Sequence, residues 1–167
     1  MRNKARYLLG TCAAAVVAIA AGVAVVIATY GISPGSVTRP TDSKPFAGEP
    51  AKLLEVGIAR HRDTRLSPIG RSCNTCHSEE DSYNATFGKP YPHYVKSVRW
   101  KTSLDKITAE GMVQFCMVSA MEGKPLPWDS ETLAALTAFV LERHRKALSR
   151  TSSTDQAIGG TCGAPPG

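Results

Sequence analysis

Two cysteines and a histidine lie close together in the run Cys73-Asn74-Thr75-Cys76-His77. This pattern is typical of covalent haem attachment, because two thioether bonds need two thiols that are separated by one short turn. The adjacent His77 would then bind the iron through an imidazole nitrogen as its proximal ligand. We therefore predict one covalent haem c, with Cys73, Cys76 and His77 as its binding residues.

A Cys-X-X-Cys pair also occurs in dithiol redox centres and as half of a zinc site. A redox dithiol does not require the adjacent histidine, and a zinc site requires a second pair of ligands at tight spacing. The sequence contains no second Cys-X-X-Cys and no His-X-X-X-His. The cysteines outside the motif are Cys12, Cys116 and Cys162, and this odd set does not indicate a disulfide framework.

The iron also needs a sixth ligand, and Cys116 and Met121 are the two candidates. A neutral methionine thioether raises the reduction potential, whereas an anionic thiolate favours ferric iron and lowers the potential. Met121 lies in a loop before the last predicted helix, which resembles the methionine loop of ordinary class I cytochromes c. We expect the neighbouring Met112 and Met117 to fill gaps in the core.

Aromatic and imidazole side chains follow the motif in a stretch whose glycine and prolines prevent any long element. We expect Tyr91, His93, Tyr94 and Trp100 to cover haem edges or core. His93 is further expected to donate a hydrogen bond near a haem propionate, with iron ligation as the alternative. His61 has charged neighbours and is expected at the surface.

Apolar residues at helical spacing predict the elements that must position these groups. A first helix is expected over residues 51–62, where Gly57 would permit close contact with another helix. A second is expected over residues 103–116, with a serine as its N-cap. A third follows over residues 129–148 and ends in basic residues, which are favourable near a helix C-terminus. The predicted fold is all-α, a small cytochrome c domain over residues 51–148 with three or more helices around one covalently bound haem.

A long uncharged run occupies residues 7–33, directly after Arg2, Lys4 and Arg6. Its 27 residues would span about 40 Å as a helix at about 1.5 Å per residue, enough to cross a bilayer core of about 30 Å. The alternative is a cleaved signal peptide, whose apolar part is shorter, about 7–15 residues. We predict one N-terminal transmembrane helix, a single-pass anchor over residues 1–33. The basic N-terminus would stay in the cytoplasm and the haem domain would lie in the periplasm, at the cytoplasmic (inner) membrane.

Two segments poor in large apolar residues flank the expected domain. Residues 34–50 contain four prolines and predict a flexible linker. Residues 149–167 are rich in Ser, Thr, Gly and Pro and predict a disordered tail. The net charge of +6 falls to +3 without the three basic residues before the apolar run. This charge does not indicate nucleic-acid binding, and the expected partners are the lipid bilayer and periplasmic or membrane redox proteins.

The run CMVSAMEGKPLP at residues 116–127, followed by Asp129-Ser130-Glu131, resembles the haem domain of thiosulfate dehydrogenases. It is more distantly similar to the A subunit of sulfur-oxidation (Sox) cytochromes. The resemblance runs from about Leu54, through the haem motif and Tyr91-Pro92-His93-Tyr94, to Phe139, and covers about half of the chain.

The resemblance implies a catalytic haem that is bound by His77 and by the thiolate of Cys116. Two features of the chain depart from the family. Thiosulfate dehydrogenases have two haems, whereas this chain has one Cys-X-X-Cys-His run. The family has Arg-Ile-Asn where Val113-Gln114-Phe115 stands here, which weakens the expectation of a basic pocket for a sulfur anion.

The single haem motif favours a membrane-anchored carrier that passes single electrons on the periplasmic side between respiratory or photosynthetic redox partners. No catalytic residue is assigned for this function. The alternative is the haem subunit of an enzyme that oxidises a sulfur compound at a thiolate-ligated haem. A haem sensor or assembly factor is a third possibility, although no additional signalling domain is visible in the sequence.

Overall fold

The computed structural model describes residues 31–78 and 85–159, with side chains at residues 31–78 and 87–149. These stretches contain five helices, which are α1 at Pro50–His61, α2 at Cys73–Cys76, α3 at Lys96–Thr102, α4 at Ala109–Ser119 and α5 at Glu131–Gly159. Short 3₁₀ turns lie at Pro34–Ser36, Thr64–Leu66 and Ala85–Gly88. The described part contains no strand, and its one isolated bridge joins His93 to Ile107. The predicted helical fold class is confirmed.

Helices α1 and α5 cross at Gly57, which is buried. A Cβ atom added to Gly57 would lie 2.2 Å from the backbone oxygen of Ala135 and 3.0 Å from Cβ of Phe139. No side chain larger than hydrogen fits at this separation, so Gly57 sets the distance between the two helices. The close helix contact that the sequence predicts at this glycine is confirmed.

The boundary between α3 and α4 differs from the sequence prediction. Ser103 is predicted to begin a helix, but it has a φ angle of 64° and ends α3 instead. The N-cap of α4 is Thr108, whose Oγ1 accepts a hydrogen bond from the Gly111 backbone N–H at 3.0 Å. Ser103 and Thr108 are both polar residues before an apolar run, so either suits the N-cap position by sequence. The left-handed backbone of Ser103 cannot be read from the sequence.

Helix α5 extends farther than the sequence predicts. Its start, predicted at residue 129, is capped by Ser130, because Ser130 Oγ accepts a hydrogen bond from the Leu133 backbone N–H at 3.3 Å. The helix continues past its predicted end to Gly159, so the expected disordered tail begins with helical residues. Residues 160–167, which include Cys162, lie outside the described residues.

Part of the expected linker packs against α4. Val37 is 2% exposed, and a Cβ atom added to Gly111 would lie 2.5 Å from the Val37 carbonyl oxygen. The Arg39 guanidinium donates two hydrogen bonds to the Glu110 carboxylate, and it lies 5.3 Å from the ring centroid of Trp128. These contacts fix the N-terminal part of the expected linker to the folded domain.

Within the described stretches, no helix is long and apolar enough to cross a membrane. The anchor predicted for residues 1–33 lies almost entirely outside the described residues, which begin at Gly31.

Candidate functional site

The haem motif forms α2, a single helical turn. The His77 backbone N–H donates to the Cys73 carbonyl at 3.0 Å, and Thr75 Oγ1 accepts from the Ser72 backbone N–H at 3.0 Å. Because residues three apart share a face of a helix, the turn directs Cys73 and Cys76 to one side. Both cysteines and His77 line a single cavity.

Cys116 and Met121 line the same cavity, at the end of α4. The backbone N–H groups of Ala120 and Met121 both donate to the Cys116 carbonyl at 3.0 Å. The backbone N–H of Gly123 donates to the Met117 carbonyl at 2.9 Å. This turn brings Met121 back beside the helix that carries Cys116. Met121 is 3% exposed, and its Sδ lies 4.0 Å from Cys73 Sγ.

The turn that carries Met121 is held by Ser67 and Arg71, which both precede the motif in the sequence. Ser67 Oγ donates to the Met121 carbonyl at 2.6 Å, and Arg71 donates from Nη1 to the Ala120 carbonyl at 2.9 Å. Arg71 also lies 3.7 Å from the Glu122 carboxylate. The segment that leads into the haem motif therefore also positions a candidate axial ligand, a role that no sequence pattern indicates.

The cavity has an empty volume of about 960 Å³, which includes space open to solvent. Its wall is largely apolar, with contributions from Phe87, Val95, Met112, Val113, Leu136 and Val140. Covalent attachment and axial ligation of haem require two thiols, an imidazole and one further ligand, and the apolar wall provides these groups with two candidate sulfur ligands. The residues present therefore fit haem c.

Tyr91 and His93 form another part of the cavity wall. Their rings stack with centroids 4.3 Å apart, and the His93 backbone N–H and carbonyl both bond to Ile107. His93 is 6% exposed, and burial lowers its pKa. Its position against the cavity agrees with the expected cover of a haem edge, and its role as donor or ligand stays a prediction.

Burial raises the pKa of the Cys116 thiol to about 12, with smaller effects from Cys73 and Cys76. A thiol in this environment stays protonated near neutral pH unless a positive charge stabilises the thiolate. A metal ion provides such a charge, because it favours deprotonation of a thiol that coordinates it. Met121, in contrast, needs no loss of a proton to bind iron.

Two of the expected aromatic cover residues are largely exposed, which corrects the sequence prediction. Trp100 is 80% exposed and Tyr94 is 50% exposed. Helix α3 buries Val98 and Thr102, and residue 100 lies on the opposite side of a helix with 3.6 residues per turn. Trp100 therefore does not cover the haem site.

His61 is buried, which corrects its expected place at the surface. It is 5% exposed, and its ring centroid lies 4.5 Å from that of Phe139. His61 is the last residue of α1, and it follows the buried Gly57 by one helical turn. The helix crossing therefore buries a side chain whose charged sequence neighbours suggest exposure.

One comparison identifies the kind of domain that contains this cavity. Residues 63–147 match the family model described as SoxA/TsdA, cytochrome c domain. The matched segment covers about half of the chain and contains the haem motif, both candidate sixth ligands and most of the cavity wall. No curated protein and no solved structure matches the chain.

Proposed function

We propose, from the premise that this chain belongs to the SoxA/TsdA cytochrome c domain family, that it carries single electrons between redox proteins outside the cytoplasm. The domain binds haem c covalently and has a haem-based electron-transfer role. When bound, haem c supplies one reversible one-electron centre whose potential depends on its axial ligands. The carrier function and its location are the proposed part.

One observation supports the carrier function. The attachment motif and the candidate axial sulfur ligands line the same cavity. Cys73 and Cys76 would fix the position of the haem, and His77 would supply the proximal ligand. Cys116 or Met121 would complete the ligand set from the end of α4, and the rest of the cavity wall is largely apolar. Electron exchange through a haem held in this way needs no binding place for a substrate.

The location and partners are proposed from the N-terminal sequence. The uncharged run at residues 7–33 follows three basic residues, an arrangement that favours retention of the N-terminus in the cytoplasm. The haem domain would then lie in the periplasm, tethered to the inner membrane. There it would exchange electrons with respiratory or photosynthetic redox proteins.

A sulfur-compound-oxidising enzyme is the alternative, and Cys116 in the cavity wall is the observation that favours it. A sulfur oxyanion would need a cationic binding group. Among the described residues that line the cavity, Arg71 alone has a permanent positive charge. Arg71 already bonds to the Ala120 carbonyl and lies near Glu122, so the electron carrier is the better account.

The two functions are separated by adding thiosulfate to the oxidised, full-length holoprotein in detergent and recording the haem spectrum. We expect the haem to stay oxidised when thiosulfate is added. When the protein is first reduced, each added ferricyanide ion should take one electron from one protein molecule. Reduction by thiosulfate in the wild type, abolished in Cys116→Ala, would instead establish the sulfur enzyme.

A further inference from the structure

Trp100 lies at the centre of the solvent face of α3. The buried residues of this helix, Val98 and Thr102, define the side that faces the domain. At 100° per residue, Trp100 points directly away from that side and Lys96 lies one turn before it. An indole that is 80% exposed contributes little to the packing of this domain, and tryptophan is enriched at protein interfaces because its ring is apolar and its N–H can donate a hydrogen bond.

Basic residues lie close to Trp100 in the sequence. Residues 96–106 contain four basic side chains and one acidic side chain. Arg99 lies 3.5 Å from that acid, Asp105, and bonds to the Ser103 carbonyl. Lys96 and Lys106 are exposed and form no ion pair within the described part of the chain. The segment that carries the exposed indole therefore has uncompensated positive charge at Lys96 and Lys106.

This face begins directly beside the haem cavity. Val95, the residue before α3, and His93 are both buried and line the cavity. Tyr94 between them is half exposed, because neighbouring residues in an extended segment point to opposite sides. A protein bound at α3 would thus lie next to the segment that forms this part of the cavity wall.

We propose that the solvent face of α3, with Trp100 and Lys96, and the exposed Lys106 four residues after the helix together form the docking surface for an acidic redox protein. This inference rests on the electron-carrier function proposed above. An exposed aromatic anchor within a charged rim is the composition of a protein interface. Complementary charge accelerates the encounter, and the position beside the cavity shortens the path for the electron.

The test measures the rate constant for electron transfer from the reduced, full-length holoprotein in detergent to oxidised plastocyanin, an acidic blue-copper protein. We expect Lys96→Glu/Lys106→Glu to lower this rate constant at least about tenfold at low ionic strength, and far less at high ionic strength. Trp100→Ala should lower it at both ionic strengths, because salt does not screen an apolar contact.

The matched control is Lys44→Glu/Lys52→Glu, which changes the net charge equally at two exposed positions outside α3. We expect this control to retain most of the wild-type rate at low ionic strength. Equal losses in both double variants, together with a silent Trp100→Ala, would overturn the docking surface. Failure of the reduced wild type to pass its electron to ferricyanide would instead overturn the electron-carrier function.

Discussion

At the scale of single residues, the site depends on side chains that stabilise the ligands without binding the haem. Ser67 and Arg71 fix the carbonyls of Met121 and Ala120, so the turn after α4 is held to the segment before the motif. The buried hydrogen bond from Ser67 contributes more to the stability of this turn, because Arg71 is exposed and water competes for its hydrogen bond. Through these bonds, the attachment site and the candidate sixth ligands form one unit.

His61 predicts a pH dependence of stability. Burial, followed by the charges of His77, Arg143 and Arg62, lowers the pKa of His61 from 6.5 to about 4. Between these values the unfolded chain binds more protons than the folded one, so the free energy of unfolding falls as the pH drops through this range. The loss is at most about 3 kcal/mol and is absent above the upper value.

The measurement is urea unfolding of the holoprotein at pH 7.5 and about pH 4.5, compared with His61→Phe, which keeps a ring against Phe139. We expect the variant to lose less stability on acidification than the wild type. Burial, the largest cause, persists when His77 binds iron. An unchanged pH dependence in His61→Phe would show that His61 is not buried in its neutral form.

At the scale of elements, periodic apolar residues and the haem motif predict the helices that line the cavity. The turn around Met121 is not predictable in the same way, because Ser67 bonds to a carbonyl 54 positions away. Helix α3 escapes prediction because its seven residues are mostly polar and end at the left-handed Ser103. Cys73, Cys76 and His77 follow from a local pattern, whereas the residues that support the sixth ligand follow only from the fold.

The crossing of α1 and α5 predicts a large effect of one methyl group. Gly57→Ala would place Cβ 2.2 Å from the Ala135 carbonyl oxygen, so the helices must separate. We expect the variant to lose about 1–3 kcal/mol in the free energy of unfolding, the usual cost of overpacking. Gly88→Ala is the control, since an added Cβ there has no atom within 4 Å. Equal stability of the two variants by urea unfolding would argue against the tight crossing.

At the scale of the whole molecule, a small domain gains stability from the haem that it binds. Fewer than about 100 residues bury a limited fraction of their surface, and an apolar cavity of this size leaves the core of the protein alone incomplete. The packed segment around Val37 and Arg39 covers the N-terminal end of α4. Cys116 lies near the opposite, C-terminal end of this helix. The same folded domain is therefore responsible for folding, for haem attachment and for electron transfer.

We conclude that one covalently bound haem c in this cavity carries one electron. The most direct test is a potentiometric titration of the full-length holoprotein in detergent, followed by the haem absorbance. We predict a single reversible transition with the slope of a one-electron couple, at high potential if Met121 binds the iron and at low potential if Cys116 does. A titration with no haem-linked transition, or with two transitions of equal amplitude, would contradict the claim.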